Sequence, residues 1–173
     1  MRAVVQRVSQ ARVVVDDEEA EPASTAAVAG QKAQTEVGRI GLGLLVLVGV
    51  MEGDVDDDLE WMERKLRTLR VFPDEDGNMN RSIADVGGAM LLVSQFTLAA
   101  DIGKGARPSF MGAMKPDLAK EMFERLVGLL REPDEAGRRL VVETGRFRAH
   151  TRVELTNDGP VTLWLDSRQR SRS

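Results

Sequence analysis

The sequence predicts a single domain that mixes β-strands with two helices, and three observations carry that prediction. The chain has 173 residues, within the roughly 100–200 residues of one domain. Two segments, 54–70 and 116–131, place apolar side chains at helical spacing. The other apolar stretches are short, bounded by turn formers and rich in β-branched residues, which is strand chemistry. With 42% apolar residues there is material for a core, and a chain of this size buries about 70% of the surface it would expose unfolded.

The elements follow in order. Segments 1–8 and 11–15 alternate as strands. The stretch 16–34, DDEEAEPASTAAVAGQKAQ, is small, polar and acidic and has no apolar period to offset the entropy of ordering it, so it reads as a mobile loop inserted in the domain. Segment 37–50, VGRIGLGLLVLVGV, reads as a buried strand, because four glycines argue against a helix. In 54–70 the residues Val55, Leu59, Met62, Leu66 and Leu69 share one helical face. Asp54 is placed to cap it, Asp56, Asp57 and Asp58 lie at its positive end, and Arg67 and Arg70 lie near the other. Helix-start chemistry explains that acidic triplet better than a magnesium cluster. Residues 74–78 read as a turn lacking the spaced ligands of a calcium loop, and 89–98 as a strand. Pro116 suits a first helical position, Leu118, Met122, Leu126 and Leu129 continue that helix to Arg131, and Pro133 ends it. Strands are expected at 141–147, 151–156 and 161–166, the last two joined by a turn at Asn157-Asp158-Gly159-Pro160. The domain then spans 1–167, and the remainder, 168–173, is a basic disordered tail.

Composition narrows the chemistry. Cysteine is absent, which excludes disulfides, thiolate metal sites and cysteine nucleophiles and fits a reducing cytoplasm. The single histidine, His150, excludes a multi-histidine metal site. The apolar run 42–51 is about half of a bilayer crossing, so no membrane partner is expected. The alternating, charged start does not read as a signal peptide. Net charge is −4, from 24 bases and 28 acids, but it is uneven: 16–60 holds twelve acids and two bases, whereas 138–173 holds eight bases and four acids. The carboxyl-terminal part therefore has the charge to meet phosphates. Nineteen of the 24 bases are arginine, whose planar fork suits such contacts, although a GC-rich genome would enrich arginine for unrelated reasons.

The apolar strand 89–98 meets Ser94, Gln95 and Thr97 where it should end, placing polar groups at a sheet edge. Serine and threonine there often satisfy their own backbone. A hydroxyl nucleophile would need an activator from elsewhere, and no nucleophile-elbow pattern supports a triad with His150. Gly159-Pro160 reads either as a plain turn or as a cis peptide forming a rigid projection, and the sequence leaves the isomer open. There is no phosphate loop.

These segments together resemble the D-aminoacyl-tRNA deacylases. The resemblance rests on Met1-Arg2-Ala3-Val4-Val5-Gln6-Arg7-Val8, Asp85-Val86-Gly87-Gly88, Ser94-Gln95-Phe96-Thr97-Leu98, Lys104-Gly105 with Arg107-Pro108-Ser109-Phe110, and Asn157-Asp158-Gly159-Pro160-Val161-Thr162. It implies an α+β homodimer of mixed and antiparallel sheets flanked by two main helices. It implies hydrolysis of the ester between a D-amino acid, or glycine mischarged on tRNA(Ala), and the terminal adenosine of tRNA, with no metal or other cofactor. In such proteins Ser94, Gln95 and Leu98 would bind substrate, the backbone N–H groups of Phe96 and Thr97 would hold the oxyanion, and the ribose 2′-hydroxyl would take part. Gly159 and Pro160, cis and supported by Asn157 and Thr162, would project from one subunit into the other's pocket and reject L side chains. Lys104 and Arg107 would touch tRNA. The implied partners are the aminoacyl-tRNA 3′ end and a second copy of the chain, with no DNA. One departure stands out. Relatives usually continue Gly-x-Phe with Gly-Ala-Asp-Met, whereas here Gly145-Arg146-Phe147 is followed by Arg148-Ala149-His150-Thr151. A rival reading is a non-catalytic tRNA-end or protein-binding dimer that kept the fold.

Overall fold

The computed structural model describes residues 1–16, 34–103 and 105–169. The expected loop therefore lies outside the described residues except for its ends, Asp16 and Gln34, which are strand residues. The same holds for Lys104 and for the tail beyond Gln169.

The long strand β1 (Arg2–Asp16) is the spine of the sheet. Two strands were expected here, but Ser9-Gln10 interrupts only the burial pattern and leaves the backbone extended. Strands β2 (Gln34–Ile40) and β3 (Gly43–Gly49) lie end to end along one edge of β1, both antiparallel to it. The single strand expected at 37–50 is thus two collinear ones, broken at Gly41-Leu42, where Leu42 surfaces. Strand β4 (Phe72–Pro73) and strand β5 (Met79–Arg81) form a separate hairpin. Its turn is the one expected at 74–78, where Asp74 Oδ1 accepts the N–H groups of Asp76 and Asn78 at 3.0 and 2.9 Å.

Strand β6 (Ala89–Ser94) pairs parallel with β3, and β7 (Val141–Thr144) parallel with β6. Parallel neighbours need crossovers, which carry α1 (Asp56–Thr68) and α2 (Pro116–Arg131). Along β6, Met90 and Leu92 face the helices and join Leu59, Met62, Leu66, Phe123 and Leu126 in one core. Leu91 and Val93 face the other way, into a second core with Val8, Val13, Ile40 and Leu45. Burial on both faces explains continuous apolar runs without alternation. The sheet curls around the second core until β2 meets β7: a Cβ on Gly38 would lie 2.7 Å from the Thr144 carbonyl. The result is a nearly closed, barrel-like mixed sheet with both helices on its outer face.

Both helices form where expected, with corrected details. Leu59, Met62 and Leu66 are buried, but Val55 is exposed and is the N-cap residue. Asp54 does not cap, because its carboxylate is taken by the Met1 ammonium at 2.6 Å and the Met51 N–H at 2.7 Å. Asp58 serves the helix start instead, accepting the Val55 N–H at 3.0 Å, and Asp56 pairs with Arg125 of α2 at 2.9 Å. Helix α2 buries Met122, Phe123, Leu126, Val127 and Leu130, while Leu118 and Leu129 are exposed. Its stripe is turned from the expected one because it packs on α1 and the sheet at once.

The largest correction concerns the end of the chain. The expected hairpin at 151–166 is one strand, β8 (Thr151–Asp166), antiparallel to β1 along its free edge. Both halves run in the same direction, so Asn157-Asp158-Gly159-Pro160 is no reversal. It is a bulge, since the partners step from Val8↔Asn157 to Gln6↔Thr162. The Gly159-Pro160 peptide is cis.

Candidate active site

Parallel strands end together, and the C-terminal ends of β3 and β6 bring Val48 beside Ser94. Past that point the chain turns through a short 3-10 turn, Phe96–Ala99. The expected strand 89–98 therefore stops at Ser94. Three contacts hold the turn. The Gln95 N–H donates to the Val48 carbonyl at 2.7 Å. The turn sits on bare backbone at Gly49, where a Cβ would lie 2.9 Å from Leu98 Cβ and 3.0 Å from the Gln95 carbonyl. From beneath, Arg2 Nη1 donates to the Leu98 carbonyl at 2.8 Å. Arg2 is itself held by Asp166 at 3.1 Å and packs by the Trp164 ring, 5.7 Å from its centroid.

Beside the turn opens a cavity of about 590 Å³. Ser94, Gln95 and Phe96 line it, Val48, Val50, Val93 and Phe123 give it apolar surface, and Arg146, Phe147, Arg148, Ala149 and Thr151 line it from the segment that follows β7. Phe110 closes against Phe96 edge-on, with ring centroids 5.1 Å apart. That segment reaches the cavity because the Gly145 N–H bonds the Leu92 carbonyl at 3.0 Å, keeping the chain beside β6 one residue past β7.

The expected site residues divide into two groups. Ser94, Gln95 and Phe96 line the cavity; Thr97 and Leu98 share the turn without lining it. The Phe96 and Thr97 N–H groups open the 3-10 turn, positions with no acceptor inside it, and no hydrogen bond from either is found among the described residues. Gln95 Nε2 donates to the Thr97 hydroxyl. Asn157, Gly159, Pro160 and Thr162 lie on β8 and line no part of this cavity. Asn157 Nδ2 braces the bulge through the carbonyls of Arg7 and Val161 at 2.9 and 3.2 Å, Gln6 reaches the Thr162 hydroxyl at 3.2 Å, and Gly159 and Pro160 are exposed at the tip. Arg107 is exposed in the loop closed by the Asp101–Ser109 bridge, and Lys104 lies outside the described residues.

His150 is an exposed residue paired with Asp16 at 3.2 Å and does not line the cavity. Among the described residues, the only charged side chains that do are Arg146 and Arg148. A pocket with backbone donors beside it, two lining cations and, among the described residues, no lining carboxylate or imidazole suits polarisation of a carbonyl rather than base-driven attack by a side chain.

A family model described as D-Tyr-tRNA(Tyr) deacylase matches residues 4–166. The chain belongs to the D-Tyr-tRNA(Tyr) deacylase family. The D-aminoacyl-tRNA deacylase of Thermotoga petrophila is 50% identical to it over 167 residues, 96% of this chain and 97% of that one. That of Geobacter sulfurreducens is 44% identical over 173 residues, covering 100% and 99%. Among solved structures, the c-Myc DNA Unwinding Element Binding Protein is 36% identical with a TM-score of 0.78, over 96% of this chain and 98% of its own. A probable eukaryotic D-amino acid tRNA deacylase shares the fold, with a TM-score of 0.67 at 16% identity over 95% and 97%. As a deacylase the chain is a hydrolase of aminoacyl-tRNA ester bonds.

Proposed function

We propose that this deacylase cleaves the ester between a D-amino acid, or glycine, and the terminal ribose of tRNA, working as a homodimer whose Gly159-Pro160 bulge completes the partner's cavity. The observation that carries the reading is the pairing of a cavity lined by Ser94, Gln95 and Phe96 with two uncommitted N–H groups at the start of the adjoining turn. Water attacks the ester carbonyl, and the oxyanion that forms accepts hydrogen bonds from the Phe96 and Thr97 N–H groups. The ribose 2′-hydroxyl assists the proton transfer to the departing 3′-oxygen, and free amino acid and tRNA leave. Fixed donors aimed at a developing oxyanion are worth about 10²–10³ in rate each, which needs no nucleophilic side chain.

Stereochemical selection is assigned to the bulge. Main-chain carbonyls at Gly159 and Pro160 bind the substrate α-ammonium and leave no room on the L side of the α-carbon. A D side chain points outward, and glycine has nothing to collide. Support comes from the bulge's exposure and from its lining no part of its own chain's cavity. The test is deacylation of matched D-tyrosyl-, D-aspartyl-, glycyl- and L-tyrosyl-tRNA by the purified protein. The D and glycyl esters are expected to be cleaved and the L ester to survive; comparable rates for L-tyrosyl-tRNA overturn the reading.

A further inference from the structure

The cavity lined by Ser94, Gln95 and Phe96 is also lined by a cation that the proposed mechanism leaves without a task. Arg148 lines the cavity yet is exposed, so its side chain stands at the mouth rather than in the core. No hydrogen bond or ion pair to it is found among the described residues. The nearby charges do not answer it: His150 and Arg152 share Asp16, each at 3.2 Å, and Arg146 is a second cation lining the cavity.

The backbone adds a second observation. Arg148 has φ 59°, the one non-glycine residue with positive φ among those described. An L side chain is strained in this region, where glycine is not. The position thus keeps a long cation in a conformation glycine would adopt freely, and nothing within the described fold uses its charge.

Resting on the deacylase reading, we infer that Arg148 binds a backbone phosphate of the nucleic acid strand whose 3′ end enters the cavity. The strand must leave through the mouth, and its nearest charged groups are phosphodiesters. A guanidinium meets a phosphate with two parallel hydrogen bonds. The contact is made alike in ground and transition states, so it sets KM and leaves kcat alone.

The experiment compares wild type with Arg148→Gly and Arg148→Lys on two substrates, D-tyrosyl-tRNA and D-tyrosyl-adenosine, which carries the ester but no phosphate. Glycine adopts positive φ without strain, so Arg148→Gly should fold at least as stably, and a thermal melt checks this. Its KM for D-tyrosyl-tRNA is expected to rise about fivefold to tenfold at unchanged kcat. The slope of log KM against log salt should fall by about 0.7, the value for one contact to a single strand. Arg148→Lys should recover most of the loss, and D-tyrosyl-adenosine should not distinguish the three proteins. Unchanged KM and salt slope in Arg148→Gly, with both substrates cleaved, sinks this inference and leaves the deacylase reading standing. Equal losses on both substrates also overturn it, since Arg148 would then shape the cavity. If wild type cleaves neither substrate, the deacylase reading fails and takes the phosphate contact with it.

Discussion

Thr97 offers the site both a hydroxyl and a backbone N–H, and their surroundings separate the two. The hydroxyl accepts from Gln95 Nε2, and no hydrogen bond from it to an imidazole or carboxylate is found among the described residues, so it lacks the activation a nucleophile needs. Thr97→Ala keeps the N–H and is expected to retain kcat/KM within about tenfold. Acid-quenched single turnovers of the wild type should show no acyl-enzyme; a trapped ester together with a loss of three decades in Thr97→Ala would establish nucleophilic catalysis instead. The neighbouring glycine is the less forgiving residue. Gly49→Ala puts a Cβ 2.9 Å from Leu98 Cβ, so the turn carrying both N–H donors must move. Overpacking of this kind costs about 1–3 kcal/mol, and we expect kcat to fall at least tenfold along with several degrees of Tm. His150→Ala, by contrast, should change activity less than about twofold, since that ring faces Asp16 and a single exposed pair contributes little.

Among the elements, the two helices were legible because each writes its own period into the sequence, and Pro116 marks a start that the structure keeps. The turn at Phe96 was legible in part, because Ser94 and Gln95 interrupt an apolar run. The cavity's apolar lining was not. Val48, Val50 and Phe123 are core residues that also line the cavity, and only three-dimensional placement shows which part of the core does so. Strand β8 was misread for a related reason: Asn-Asp-Gly-Pro has turn chemistry, but whether the chain reverses depends on β1 offering a partner to both halves. Arg138 shows an element-level link that composition hides, since it ties the 134–138 turn to the loop before β6 through Asp134 at 2.7 Å and Asp85 at 3.2 Å. The Ser82 hydroxyl, above all, holds the Asp85 carboxyl below its ordinary range, and the Arg138 N–H does the same for Asp134. A carboxyl depressed in the folded state stabilises above its unfolded pKa, near 3.8, and ceases to do so as pH falls through the folded value. Amide exchange measured at pH 6 and pH 3, corrected for intrinsic rates, should therefore show these two loops losing protection at the lower pH. Equal protection at both would mean the carboxylates do not hold them.

For the whole molecule the question is whether one chain contains a complete site. Its cavity adjoins the N–H groups proposed to hold the oxyanion, and the exposed Gly159-Pro160 bulge, to which stereochemical selection is assigned, lines no part of that cavity. If the bulge acts in trans, the active species is a dimer, and light scattering at assay concentration should give about twice the 19.0 kDa chain mass. Mass alone does not establish that residues are shared, but subunit mixing does. Gly159→Ala keeps a sound cavity and spoils the bulge, because the new Cβ would collide with Asn157 Oδ1 and the Val161 nitrogen. Gly49→Ala keeps a sound bulge and spoils the cavity wall. Each homodimer should therefore cleave D-tyrosyl-tRNA poorly. Unfolded together and refolded, half of the dimers are mixed, and each mixed dimer joins the sound cavity of one chain to the sound bulge of the other at one of its two sites. Random pairing then restores roughly a quarter of wild-type activity per chain. A bulge serving its own chain's cavity would leave every site with one defect, and the mixture would be no more active than the average of its parents.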